Sequence, residues 1–409
     1  MRAREASRGL SRAHIVLDLS RLLSRADRAT PTGIDRVELA YAKHLAAREA
    51  QRLDFAAVWK NGRLGLLPRE RAEGLVAALD ARWRGAGGPA AARWPVVLRL
   101  MAGGEGALER ALGGGTGVYL LVSHHHLDRP SVIETLKRRA GARFACFIHD
   151  LIPMQYPEYA RPGQAERHRR RIETAVALAD ALIVNSDDTR AALLPLLRAA
   201  GRDPALLVAP LGTEPLAAER GGGTAAKPYF ICIGTIEPKK NHLLLLNLWR
   251  RLAEELGEAA PRLVLVGQRG WENENAIDML ERAPAICALV EERASVADRD
   301  LARLVAGASA LLLPSFAEGY GLPVAEALSL GTPVICSDLP ALREVGKDVP
   351  DYLDPLDGRG WRDAVLAYRD RDSPRRLAQL RRLAFWQPPD WERHFAAVVP
   401  LLDALAGRP

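Results

Sequence analysis

The sequence predicts an α/β protein built on two doubly wound parallel sheets that face each other across a cleft. Three observations carry this expectation. Short apolar runs alternate with helical patterns along the whole chain, which implies parallel strands joined by helical crossovers. The runs are apolar without a break, as in strands covered on both faces. A length of 409 residues exceeds one ordinary core and suits two domains.

In the first half the strand runs are His14–Leu17, Phe55–Trp59, Val118–Val122, Arg143–Ile148, Ala181–Asn185 and Leu206–Pro210. The stretch Leu64–Gly115 is rich in Ala, Gly and Arg and reads as helices without chemistry. Gly221-Gly-Gly-Thr-Ala-Ala-Lys-Pro228 has the composition of a linker. The expected division is therefore 1–220, a linker at 221–228, a second domain at 229–385 and a tail at 386–409. In the second half the runs are Tyr229–Gly234, Arg262–Gly267, Ala285–Val290, Ala310–Pro314 and Pro333–Cys336. In the tail, Asp390 is placed to cap a helix whose apolar face is Phe395, Val398, Leu401, Leu402 and Leu405.

Composition excludes several classes. Hydrophobic residues at 48% and charged residues at 26% are those of a globular chain. No apolar run approaches the ~20 residues of a membrane-spanning helix, and the Arg-rich start lacks a signal-peptide core, so a cytoplasmic location is expected. Cys146, Cys232, Cys287 and Cys336 stand apart without metal-ligand spacing and read as buried free thiols in strands. Residues 1–227 hold 35 basic against 24 acidic residues and the remainder 22 against 26, so the first half is basic at +11 and the second −4. That bias draws anionic ligands or an anionic membrane. An Arg-rich coding composition, in which only 7 of 57 basic residues are Lys, explains it equally well.

Two segments carry the chemistry. Gly234-Thr235-Ile-Glu-Pro-Lys239-Lys240-Asn-His242 joins a strand to a helix with Leu245, Trp249, Leu252 and Leu256 on one face. Such a junction receives an anion on free backbone N–H groups, and two scarce lysines add charge. Pro314-Ser-Phe-Ala-Glu318-Gly319-Tyr320-Gly321-Leu322-Pro-Val-Ala-Glu326 follows the next strand, with Pro323 in the first helical turn and Gly331 at the helix end. Its glycines let backbone approach a ligand, and its two carboxylates can accept from vicinal hydroxyls.

Together these segments resemble the retaining nucleotide-sugar glycosyltransferases of the GT-B fold, with two Rossmann-like domains. The nearest pattern is that of the family-four group of bacterial mannosyl-, rhamnosyl- and glucosyltransferases. The likeness extends over Val264–Trp271 and Gly331–Asp338, and the tail resembles the helix that crosses back to the first domain in that fold. The resemblance implies that Lys240, then Lys239, holds the donor diphosphate, with Thr235 standing where the family often has Arg. It assigns Glu318 to donor-sugar hydroxyls and Glu326 to the ribose, with Gly319, Tyr320, Gly321 and Leu322 lining the donor site. Phe147-Ile-His149-Asp150 ends a strand at the cleft, and the resemblance puts His149, with Asp150, beside the donor sugar. Thr30-Pro-Thr-Gly33-Ile-Asp-Arg36 resembles the family's first loop, with the single Gly33 in place of a Gly pair.

The expected reaction is transfer of a hexosyl group, mannose- or rhamnose-like, to a glycan or lipid-linked glycan with retention. The family mechanism is front-face, with the leaving phosphate taking the acceptor proton. No metal and no cofactor are expected beyond the nucleotide-sugar substrate, and no nucleic acid. His124–His126 offers a contact to the acceptor, and Arg167–Arg171 reads first as a solvated helix face, with contact to a lipid phosphate or an anionic inner-membrane face as the alternative. The alternatives are a nucleotide-sugar epimerase, which would act on the donor alone, and a non-catalytic anion binder, whose binding would be salt-sensitive without turnover.

Overall fold

The computed structural model describes residues 12–58, 63–85, 105–214 and 227–406. Two sheets form. The first has seven strands in the order β3-β2-β1-β4-β5-β6-β7: β1 His14–Asp18, β2 Leu53–Val58, β3 Leu64–Leu67, β4 Gly117–Leu121, β5 Arg143–Ile148, β6 Ala181–Val184 and β7 Ala205–Val208. All neighbours are parallel except β3, which runs antiparallel on the edge. The second has six parallel strands in the order β10-β9-β8-β11-β12-β13: β8 Tyr229–Ile233, β9 Arg262–Val266, β10 Val290–Arg293, β11 Leu311–Leu313, β12 Val334–Ser337 and β13 Asp351–Leu353. The expected linker falls almost wholly outside the described residues.

The winding reverses beside β1 in the first sheet, where β2 lies on one side and β4 on the other, and beside β8 in the second, between β9 and β11. At such switch points no crossover covers the strand ends, so ligands settle there. The segments around Lys240 and Glu318 follow β8 and β11, and His124–His126 follows β4; His149 and Asp150 follow β5, one strand further on, and Arg167–Arg171 lies on the helix Gln164–Leu178. The tail helix, Trp391–Ala406, packs its Phe395, Val398, Leu402 and Leu405 into the core under the first sheet. Asp390 caps it by accepting from Arg393 N at 2.7 Å. Asp403 accepts from Ala13 N at 2.8 Å and from Arg52, so the tail is tied to the start of β1.

Three expectations need correction. Ala285–Val290 is a helix, Pro284–Leu289, because Pro284 opens its first turn, and the strand that follows reads Val-Glu-Glu-Arg. That strand is a sheet edge and so needs no continuous apolarity. Cys287 is accordingly exposed on that helix, whereas Cys146, Cys232 and Cys336 are buried in strands. The stretch read as helices only also holds β3, a short edge strand.

Phe395→Ala should therefore destabilise the whole chain by about 3–5 kcal/mol, the cost of a buried aromatic cavity, and Asp390→Ala by about 1 kcal/mol, the cost of a lost helix cap. Chemical denaturation measures both.

Candidate active site

The Lys240–Glu318 cluster grows from the ends of β8 and β11. After β8 the chain turns at Gly234, whose φ of 146° suits glycine, and runs through the short turn Pro238–Lys240 into the helix His242–Leu256. The stem of Lys240 folds back over Gly234 and its Nζ reaches Glu318 Oε1 at 2.6 Å. Ser315 Oγ donates to the same oxygen at 2.7 Å. The Glu318 side chain is 9% exposed. Burial alone would raise its pKa, yet Lys240 and Lys239 together hold the carboxyl below its ordinary value. Lys239 stands 3.4 Å from Glu237; Glu237, Asp150 and Glu318 offset its burial and keep it a cation. Thr235 is half-buried, its methyl packed towards Gly270.

The Glu318 loop also closes against the first domain. A Cβ on Gly319 would fall 2.7 Å from the carbonyl oxygen of His149 and 2.9 Å from Asp150 Cβ, so only glycine lets the loops meet. Ser186 Oγ donates to Gly319 O at 3.0 Å. Gly321 has a φ of 101°, and a side chain there would collide with Leu342. Tyr320 is buried with its hydroxyl donated to Leu211 O at 2.7 Å, which makes it a tie between domains. Leu322 opens the helix Leu322–Ser329 and faces Gly33 across the cleft.

Glu326 lies on that helix but does not share the Lys240 cluster. It borders a small cavity of about 70 Å³ with Arg36, Asp298, Leu322 and Trp391. Burial raises the Glu326 pKa and Asp298 adds to this, while Arg36 opposes both. Arg36, from the helix Gly33–Arg48, grips Asp298 through two bonds of 2.9 and 2.5 Å. Neither Arg36 nor Asp298 was singled out from sequence, although Arg36 closes the quoted first loop.

His149 is buried and its Nε2 donates to Val122 O at 2.7 Å, leaving Nδ1 as the unprotonated nitrogen. Burial pushes its pKa down to about 4, so the ring is neutral near pH 7. His124 packs edge-on against both His149 and His168, at centroid distances of 5.5 and 5.2 Å. His168 meets the Asp150 carbonyl at 3.1 Å, and the Asp150 carboxylate caps the turn at Ile152 N. The three consecutive histidines thus diverge: His126 lies under Tyr119, and the His125 carbonyl accepts from Arg171. On the helix Gln164–Leu178, Arg167 is paired to Asp128 at 2.8 Å, while Arg169 and Arg170 are exposed.

A cavity of about 1040 Å³ lies where the tail segment Phe385–Asp390 passes Pro210 and Glu344, and of the expected site residues it touches only Tyr320. The Lys240–Glu318 cluster is therefore defined by convergence of charged groups and not by volume.

This architecture is that of the GT-B glycosyltransferases. The crystal structure of Anabaena Alr3699/HepE in complex with UDP superposes with a TM-score of 0.63 over 96% of this chain and 100% of that one, at 15% identity. The α,α-trehalose 6-phosphate synthase of Burkholderia multivorans gives 0.60 over 97% and 95%, at 12% identity. Residues 227–368 match the family model Glyco_trans_1_4, Glycosyl transferases group 1. The second domain is thus a group 1 glycosyltransferase domain. The O-antigen chain mannosyltransferase B of Escherichia coli is 38% identical over 164 residues, 40% of this chain and 42% of that protein. The serotype-specific mannosyltransferase WbdA of Escherichia coli is 30% identical over 246 residues, 56% of this chain and 30% of that protein. The matches span less than half the length of either relative.

One buried acid makes a pH prediction. Glu38 is fully buried, accepts from Leu22 N through Oε1 and leaves Oε2 without a partner. Burial, reinforced by Asp18, pushes its pKa up to about 8. The folded state then keeps a proton that the unfolded chain releases near its ordinary value. Stability from this group is full below that value and is lost as pH rises through about 8. Glu38→Gln should remove the loss, gaining on the order of 2–4 kcal/mol at pH 8.5 and little at pH 4. Thermal unfolding across that range reads the difference.

Proposed function

We propose that this chain is a retaining, metal-independent hexosyltransferase that moves a mannose- or rhamnose-like group from a nucleotide sugar to a glycan or glycolipid acceptor in surface-polysaccharide assembly. The observation that carries the reading is the Lys240–Glu318 pair at the β8–β11 switch point, with His149 and Asp150 against the same loop. The O-antigen mannosyltransferase relatives support the acceptor class.

The residues divide the work by charge. Lys240 and Lys239, beside the start of the helix His242–Leu256, offer fixed positive charge to a leaving diphosphate, which is the electrostatic stabilisation that a metal supplies elsewhere. A bound diphosphate competes with Glu318 for Lys240, which frees the Glu318 carboxylate for sugar hydroxyls. Glu326 takes the ribose, with Gly33 and Leu322 bounding the donor. Neutral His149 lines the reacting centre with Asp150, and the departing phosphate takes the acceptor proton on the same face.

No helix among the described residues is long and apolar enough to cross a membrane. The exposed Arg169 and Arg170 support peripheral attachment to an anionic bilayer, each cation worth about 1 kcal/mol there.

Lys240→Ala should lower kcat by 10²–10³-fold, on the order of a lost transition-state donor, with a smaller change in nucleotide affinity. Glu326→Ala should weaken nucleotide binding by about 1–3 kcal/mol, measured by calorimetry with GDP and UDP. Transfer should survive EDTA. Loss restored by Mn²⁺ overturns metal independence, and an epimer formed from donor alone overturns the transferase reading. Arg169→Ser with Arg170→Ser should reduce co-sedimentation with anionic vesicles and leave neutral vesicles unchanged.

A further inference from the structure

Beyond the donor cluster, a row of aromatic rings leads out of the cleft. Phe316 sits two residues before Glu318, and its N–H donates to Lys239 O at 2.8 Å. From the other domain Tyr159 stacks on Phe316, centroids 5.7 Å apart and planes 12° apart. Tyr156 stacks on Tyr159 at 5.9 Å and 25°. Beside the row, Trp271 Nε1 donates to Tyr159 O at 3.2 Å, and the Arg161 guanidinium lies 4.6 Å from the Trp271 ring centre. Tyr156 and Tyr159 belong to the segment that leaves the cleft after His149 and Asp150.

Each feature bears on what the row would hold. It begins at the donor site and ends in solvent, where Tyr156 is 39% exposed, among the few large apolar side chains so exposed. Away from the lysines at its inner end, its flanking charges are Glu158 beside Tyr159 and Arg161 over Trp271, one of each sign. Neither sign dominates that outer stretch, which favours a neutral ligand there. The rings stack on one another, so the row presents the exposed Tyr156 ring and the edges of the half-buried Tyr159 and Phe316, with two tyrosine hydroxyls, a surface that suits the apolar C–H faces and hydroxyl rims of a pyranose chain.

We propose that Phe316, Tyr159 and Tyr156 form an extended acceptor subsite that holds neutral hexosyl residues behind the one that receives the transferred sugar. This rests on the transferase reading and adds the acceptor's chemistry: a growing neutral glycan, held ring by ring along the exit.

The test measures binding by the full chain of α-linked mannose oligosaccharides of one to four units, and separately of GDP and UDP. Wild-type affinity should rise with length. Tyr156→Ala should flatten the rise, about three- to tenfold on the tetrasaccharide, and leave the monosaccharide and both nucleotides unchanged. Tyr159→Phe, which keeps the ring, should keep the rise. Three outcomes overturn the proposal. The first is a wild-type affinity that does not rise with length. In the second, Tyr156→Ala weakens GDP or UDP binding, which makes the row a nucleobase platform. In the third, it weakens every saccharide equally, which makes the row a cleft-closing contact only. Failure of the transferase reading looks different: oligosaccharide length dependence persists while no nucleotide binds and no sugar is transferred.

Discussion

The candidate site of this chain depends on two strands being neighbours that are far apart in sequence. β8 and β11 pair across the point where the second sheet reverses its winding. Lys240 and Glu318, 78 residues apart, meet because each lies just past the end of one of these strands. The first sheet repeats the arrangement at β1 and β4, which puts His124 and Asp18 at its own uncovered end, with His149 at the end of β5 next to it. A cleft lined from both sides follows from facing the two reversals towards each other.

The two sides are joined by contacts of different kinds. Glu344, from the second domain, accepts from Asp187 N and Asp188 N at 2.7 and 2.8 Å and so caps a helix of the first. Ser186 holds Gly319, Tyr320 holds Leu211, and Arg36 holds Asp298. The first three use backbone groups, whose geometry is fixed by the strands and helices that carry them. The Arg36–Asp298 pair joins two side chains, and it borders the carboxylate of Glu326 in a confined space. Parting the domains separates Arg36 from Asp298 and hydrates both charges, so the pair contributes only while the domains stay together.

Most of this was legible in the sequence. Continuous apolar runs mark strands buried on both faces, which is why the central strands were located and the edge strands β3 and β13 were not. Edge positions need no such run: β10 reads Val-Glu-Glu-Arg. The Lys240 and Glu318 segments could be picked out because glycines and scarce lysines stand at strand–helix junctions, where backbone geometry limits the choice of residue; the roles given to them came from the family resemblance. Arg36, Asp298, Trp271 and Tyr159 could not, because each owes its place to a partner in the other domain. Nothing local distinguishes an arginine that spans a cleft from one that points into solvent, least of all in a chain with 57 basic residues.

The tail helix has a consequence for how the chain is made. Its apolar face completes the core beneath the first sheet, and Asp403 binds the backbone at Ala13, at the opening of β1. A ribosome delivers β1 long before Leu405. The first domain therefore waits, with the β4–β7 part of one sheet face uncovered, while the whole second domain is synthesised and folds. The order of completion is the reverse of the order of synthesis, and during that interval the exposed sheet is the part of the nascent chain most in need of a chaperone.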